Sequence, residues 1–375
     1  MSWRKLLFWI HLVTGCTAGA IILVMSVTGS LLAFKRQVIN WCDRDYRSPP
    51  SAGNAARLPV EAMMAAIIAQ YHATPSAITI HFDPAEPAEA VFGRDHVFLI
   101  DSHTGNVLGE SAPRARLFFQ QMENWHRWLG AGTEKRATAR AVTGACNLGF
   151  LVLVISGPFL WMPRRWSWRS VRAVAAFQRG LSGRARDFNW HNVIGIWCAL
   201  PLFLIVLSGV VMSYSWANNL LYRVTGSEPP AQRAELEPRQ REQTRRGEKV
   251  EPGVAGLDRL WARAEQQVTG WRSVTLRISP PQRAPIAFTI DTGGGGRPDQ
   301  RSQLTLNRST AELVRWEPFS SYNTGRRLRS WLRFLHTGEA GGIGGQTLAG
   351  MASTGAAVLV GTGLCLAWRR VFKRS

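Results

Sequence analysis

The sequence predicts an α-helical integral membrane protein in which four transmembrane helices alternate with two external α+β domains, built by internal duplication. Four stretches, 6–34, 141–161, 193–214 and 348–368, are each about 20 residues or longer and nearly free of charge, the length an α-helix needs to cross a bilayer. One pattern is written twice. His11 opens an apolar run, and His191 opens another 180 residues later. In each run a glycine follows four residues on (Gly15, Gly195), then a hydroxyl–glycine pair (Thr28-Gly29, Ser208-Gly209) and a closing aromatic (Phe34, Tyr214). Finally, 46% hydrophobic residues with a mean hydropathy of −0.08 means that the apolar residues are gathered in blocks.

A net charge of +20 over 375 residues raises nucleic acid as a partner, and the distribution of the charge argues against it. The 163–190 loop carries seven arginines against Asp187 alone; Arg369, Arg370, Lys373 and Arg374 follow the last span, and Arg4 and Lys5 precede the first. With four spans all of these lie on one side, which by the positive-inside rule puts both termini in the cytoplasm. Lys35 and Arg36 run the other way, but a long external segment follows them, and such segments cross largely regardless of charge.

In order, the chain is expected to run as follows: transmembrane helix 6–34; external domain 35–140, ending in a pre-membrane helix with His126; helix 141–162; basic inner loop 163–190; helix 191–216; external domain 217–340; helix 341–368; and inner tail 369–375. The first apolar stretch is longer than a signal-peptide core and no small-x-small site closes it, so it is expected to be a retained anchor. Of five cysteines, Cys16, Cys146, Cys198 and Cys365 lie inside spans and Cys42 just beyond one. There is no disulfide framework and no Cys-x-x-Cys pair.

Within the first external domain, Pro59 to Tyr71 has helical spacing and 77–82 is strand-like. Val97-Phe98-Leu99-Ile100 then runs into Asp101-Ser102-His103-Thr104-Gly105-Asn106-Val107-Leu108, a strand, tight turn and strand. The second domain repeats this, with Gln303 to Val314 aligned at an offset of 206, a helix expected at 257–268 and a strand at 273–278. Ala311 stands where the first copy has Gly105, which should weaken the second turn. The stretch 227–252 reads as a flexible linker, and Gly293 to Gly296 as a hairpin tip with no helix after it to bind phosphate.

The Asp-x-x-Thr-Gly-x-Val turn, followed by Asn124-Trp125-His126-Arg127-Trp128-Leu129 and a span ending Trp161-Met162-Pro163-Arg164-Arg165, resembles the PepSY-associated transmembrane family. Leu335-His336-Thr337-Gly338-Glu339 before a span ending Trp368-Arg369-Arg370 is similar to that family's second half. The resemblance covers nearly the whole chain. It implies periplasmic PepSY-like domains and, for the members most similar, an inner-membrane reductase that holds two haems and reduces ferric siderophores in the periplasm. Other members are iron-regulated or peptidase-associated.

The histidines carry the chemistry. His72, His81, His96 and His103 lie in the first external domain and read as ordinary surface residues, whereas His11, His126, His191 and His336 lie at the ends of spans. An imidazole in or near lipid is costly unless paired, so it marks a functional site by default. Duplication predicts two pairs, His11 with His191 at the inner face and His126 with His336 at the outer. Paired imidazoles on facing helices suit the axial positions of haem iron, with a small residue at i+4 leaving room for the porphyrin. Those residues are Gly15, Gly130, Gly195 and Ala340. Packing alone also favours Gly and Ala in membrane helices, and that reading stays open. Zinc would want three or four close ligands. Covalent haem would want Cys-x-x-Cys-His. The expected cofactor is therefore two haem b, the four histidines being the axial ligands.

From His11 to Gly29 is 18 residues, about 27 Å along a helix, so two such sites would carry electrons across the bilayer. No nucleotide-binding fingerprint appears, so electrons must come from quinol or a cytoplasmic reductase. Around the outer pair stand Trp125, Arg127, Trp128, Tyr322, Arg326, Arg327, Arg329 and Trp331, which suit an anionic ferric chelate and equally suit membrane lipid at the interface. The expected function is a ferric-siderophore reductase releasing Fe(II). The alternative is a non-enzymatic, membrane-anchored binding or regulatory module for a periplasmic peptidase or an iron-uptake partner. A transporter is disfavoured, since discontinuous half-helices are lacking.

Overall fold

The computed structural model describes residues 2–46, 56–93, 96–163, 167–229, 254–278 and 285–372. The chain begins with α1 (Trp3–Leu32), α2 (Lys35–Cys42) and α3 (Val60–Tyr71). Strands β1 (Ala77–His81), β2 (Ala88–Phe92), β3 (His96–Ile100) and β4 (Val107–Glu110) follow, then α4 (Pro113–Trp128), α5 (Arg136–Trp161), α6 (Trp168–Ala175), α7 (Gly183–Ser213) and α8 (Ser215–Val224). Next come α9 (Leu257–Gln267), β5 (Ser273–Arg277), β6 (Ile286–Asp291), β7 (Arg301–Leu306) and β8 (Leu313–Glu317), and the chain closes with α10 (Thr324–His336) and α11 (Gly342–Phe372). Most of the 227–252 stretch expected as a linker lies outside the described residues.

Two compact units result: Met1–Lys35 with Phe118–Leu221 and Trp331–Ser375, and Arg36–Leu117 with Tyr222–Ser330. The first is a bundle of α1, α5, α7 and α11, helices long and apolar enough to cross a membrane. α1 packs on α5 and α11, and α7 packs on the same two helices. In α1 the buried positions are Ala18, Gly19, Ile22, Ser26 and Thr28, while Trp9, Val13, Leu23, Val27 and Leu31 face outward. Small and hydroxyl residues inside with bulky apolar ones outside is how helices pack when lipid is the solvent. Phe34 stacks against Gly350 of α11 and Tyr214 against Gly144 of α5, an added Cβ falling 3.0 Å from the Phe34 ring and 3.2 Å from the Tyr214 ring. α5 and α7 begin several residues ahead of the expected spans, so Arg136, Arg140, Arg184 and Arg186 ride on their first turns.

The second unit corrects the expectation of two separate α+β domains. Its strands form one antiparallel sheet in the order β4-β3-β2-β1-β5-β6-β7-β8. Each half is a four-stranded meander whose first strand leaves an open edge, and pairing β1 with β5 satisfies both rows of backbone groups at once. The seam centres on Thr79 opposite Thr275, whose hydroxyls lie 2.9 Å apart. α3 contributes Val60, Met63, Met64 and Ile67 to the core and α9 contributes Leu257, Leu260, Trp261 and Ala264, the same i, i+3, i+4, i+7 stripe. They meet Ile78, Ile80, Leu276, Phe288 and Leu304 in one core. The two helices also cap each other: Glu61 accepts from the amides of Gly256 and Asp258, and Asp258 accepts from the amide of Glu61.

Both expected turns form, and they match bond for bond. Asp101 accepts from the amides of His103 and Thr104, and Asn307 from those of Ser309 and Thr310. Gly105 sits at φ +74° and Ala311 at φ +59°, so the second turn keeps its shape with a Cβ in the left-handed region. Relieving that strain by Ala311→Gly is expected to raise the unfolding free energy by about 0.5–1 kcal/mol, and Ala311→Val to lower it. Thermal unfolding of the full chain in detergent checks both.

Candidate functional site

The bundle brings the four span-end histidines together in two pairs. The rings of His11 and His191 have centroids 6.4 Å apart at an interplanar angle of 82°, and those of His126 and His336 lie 6.3 Å apart at 69°. His11 is on α1 and His191 on α7, helices that face each other across the bundle. His126 and His336 end the short helices α4 and α10 that lead into α5 and α11.

Each ring rests on a hydroxyl–glycine pair of another helix. His11 Nδ1 is 2.7 Å from Ser156 Oγ, His126 Nδ1 3.0 Å from Thr28 Oγ1, His191 Nδ1 3.0 Å from Thr362 Oγ1, and His336 Nδ1 3.1 Å from Ser208 Oγ. In every case the hydroxyl lies within 2.6–2.8 Å of a carbonyl one turn back on its own helix, at Val152, Val24, Val358 or Ile205. A hydroxyl has one proton, and the carbonyl takes it. Its oxygen must therefore accept from the imidazole, so each histidine carries its proton on Nδ1. His336 confirms the sense, because Nδ1 also lies 2.8 Å from the Ile205 carbonyl, which can only accept. Nε2 then keeps a free lone pair on all four rings.

The glycine of each pair lies beside the ring, and at Gly29 and Gly363 it makes room for it. A Cβ added at Gly29 would fall 3.1 Å from His126 Cε1, at Gly363 3.2 Å from His191 Cε1, at Gly209 3.4 Å from His336 Cε1 and at Gly157 4.0 Å from His11 Cε1. These glycines stand beside the imidazoles, a separate role from the room for a porphyrin expected of the residues at i+4. Gly15 and Gly195 have Leu153 and Leu359 as their neighbours at ordinary contact distance. Gly130 corrects the expectation most clearly. α4 stops at Trp128, and Gly130 turns the chain at φ +74° with the Trp125 indole against it. Ala340 likewise follows the break at Gly338, φ +75°, in a short 3-10 turn.

Thr28-Gly29 and Ser208-Gly209 are legible from the repeat of the first and third spans. Ser156-Gly157 and Thr362-Gly363 were missed, although they stand apart by the same 206 residues as the two external turns. Carrying that offset into the spans would have found them.

An imidazole pair at this spacing fits a single metal ion. Two metal–nitrogen bonds of about 2.0 Å, each added to roughly 1.1 Å from ring centre to nitrogen, would set opposed centroids about 6.2 Å apart. Among the described residues no three His, Cys, Asp or Glu gather into a metal site, which leaves zinc without its usual ligand set. The remaining histidines belong to the sheet unit: His81 meets Glu86 and Glu89, His96 meets Glu110, His72 terminates α3 at φ +51°, and His103, expected at the surface, has both ring nitrogens buried.

The basic and aromatic residues expected near the second pair are partly engaged. Arg127 pairs with Glu123 and, with Arg136, sandwiches the Trp128 ring, both guanidiniums 4.5 Å from its centroid. Arg326 stacks on Tyr322 and binds Glu317, which also meets Arg315. Burial alone would raise the Glu317 carboxyl, yet it sits below the usual carboxylate range because those two arginines hold its charged form.

Residues 8–370 match the family described as PepSY-associated TM region. No curated protein matches the chain.

Two glycines two residues apart on α11 separate ring support from ordinary helix packing. Gly363 faces the His191 ring, whereas Gly361 has open space beside it. Gly363→Ala is expected to lower the melting temperature, at a cost of about 1–3 kcal/mol from overpacking. Gly361→Ala should leave it level or raise it, alanine being about 1 kcal/mol the better helix former. Parallel thermal melts of the two variants decide it.

Proposed function

The chain belongs to the PepSY-associated TM family, and from that membership and its two histidine pairs we propose that it is a di-haem, b-type oxidoreductase. It passes electrons across the bacterial inner membrane to a ferric siderophore in the periplasm, releasing Fe(II). The observation that carries this reading is the pair geometry: two imidazoles at about 6.3–6.4 Å, each with Nδ1 engaged and Nε2 free, found twice in one bundle.

His11 and His191 would hold one haem and His126 and His336 the other. Bound there, haem supplies reversible one-electron chemistry, and the protein's levers on it are ligand identity, hydrogen bonding and burial. Ser156, Thr362, Thr28 and Ser208 hold the Nδ1 protons and so aim Nε2 and raise its basicity. Gly363 and Gly29 let the His191 and His126 rings seat against the helices. His11 and Gly29, on which His126 rests, are 18 residues apart on α1, about 27 Å of rise, so the two pairs serve opposite membrane faces. Quinol or a cytoplasmic reductase donates the electrons, and both termini lie in the cytoplasm. The sheet unit is periplasmic, arose by duplication and docks the ferric chelate through arginines such as Arg327 and Arg329.

Purified wild type is expected to carry two haems per chain. His11→Ala or His191→Ala should remove one and His126→Ala or His336→Ala the other, read by Soret absorbance and haem stoichiometry. Unchanged haem content in all four variants would reject the assignment, and a colourless wild type would leave the anchored binding module. In a protein that retains both haems, Thr28→Val should raise the reduction potential of one, since the Nδ1 proton loses its acceptor, and Thr28→Ser should restore it. Redox titration by optical spectroscopy measures the shift.

A further inference from the structure

The 163–190 segment, expected as a basic loop, holds α6, and α6 is fastened at its C-terminal end by side chains. Trp161 Nε1 donates to the Val174 carbonyl, Trp197 Nε1 to Ala175, and Asn189 Nδ2 to Ala173 and Ala176. The carbonyls a helix end leaves unpaired are thereby satisfied. Trp197 lies six residues beyond His191 on α7, about 9 Å further along that helix, and the residue is 72% exposed. The end of α6 therefore lies on the outward, apolar flank of α7 at the level of the first turns of the span.

Beside that end is a cavity of about 480 Å³ lined by Arg169, Arg172, Ala173, Phe177, Gln178 and Arg179. The nearby acid is already committed: Asp187, buried, binds Arg186 and Arg369. Among the described residues no carboxylate reaches Arg169, Arg172 or Arg179, so three guanidiniums share one concave site without a counter-charge. Each presents a planar fork suited to phosphate oxygens. Ala173, Ala176 and Phe177 give the site its apolar lining.

We propose that this cavity binds the phosphate headgroup of an anionic membrane lipid, its acyl chains running down the exposed apolar flank of α7. Fixed cations at the end of a span, against a surface that faces lipid, favour a headgroup over a dissolved phosphate. The site owes nothing to haem, so it stands or falls separately from the redox reading.

The test is native mass spectrometry of the full chain released from nanodiscs of phosphatidylglycerol and phosphatidylcholine. Wild type should retain one phosphatidylglycerol and no phosphatidylcholine. The Arg169→Gln/Arg172→Gln/Arg179→Gln variant should lose it, with affinity falling about fivefold per arginine, whereas Arg184→Gln, outside the cavity, should keep it. Should the triple variant fail to fold, the three single variants carry the same comparison. Equal retention by the cavity and control variants, equal binding of both lipids, or displacement of the lipid by millimolar inorganic phosphate would each overturn the proposal.

Discussion

The bundle depends on one interaction made four times: a half-buried imidazole N–H given to a hydroxyl on a neighbouring helix. An unpaired imidazole among membrane helices is costly, so each histidine ties its own helix to the one carrying the hydroxyl. His11 ties α1 to α5, His126 ties the entry of α5 to α1, His191 ties α7 to α11, and His336 ties the entry of α11 to α7. Because every hydroxyl lends its own proton to a helical carbonyl, the direction of each bond is set. The tautomer follows from it, and with it the nitrogen left to face a ligand.

That constraint explains the placement of glycine. The residue after the hydroxyl is tightest at Gly29 and Gly363, where a Cβ would press on the His126 and His191 rings, whereas Gly157 leaves an ordinary contact with His11 and Gly209 is closest to Asn147. Buried amides hold other helix contacts, Asn147 donating to the Val206 carbonyl and Gln346 to the Ala33 carbonyl. Elsewhere the helices meet through small residues, and the bulky apolar side chains face outward. The bundle is therefore specified by a few polar contacts and close approaches.

The sheet unit follows another logic. There a hydrophobic core and a completed backbone ladder bind the halves, with Glu61 and Asp258 closing the helix ends across the seam. Ala311 shows the strength of this context. An alanine accepts a left-handed φ because the Asn307 side chain and the β7–β8 pairing determine the turn, which local propensity alone disfavours.

Four spans, the two turns and the identity of the four histidines were legible in the sequence, because hydropathy, turn chemistry and the cost of an imidazole in lipid are local properties of residues. The repeat spacing also made their pairing an expectation, and Thr28 and Ser208 were visible as part of it. What the tertiary structure decided was contact. The i+4 rule assumed that helices run on past His126 and His336, and breaks at Gly130 and Gly338 end them. Two open sheet edges do not say whether they will meet each other, and only the folded chain joins β1 to β5. Ser156 and Thr362 look like any small residues of a membrane helix until packing sets them against His11 and His191. Composition and periodicity establish which residues must be buried or paired, and three-dimensional packing alone selects the partner.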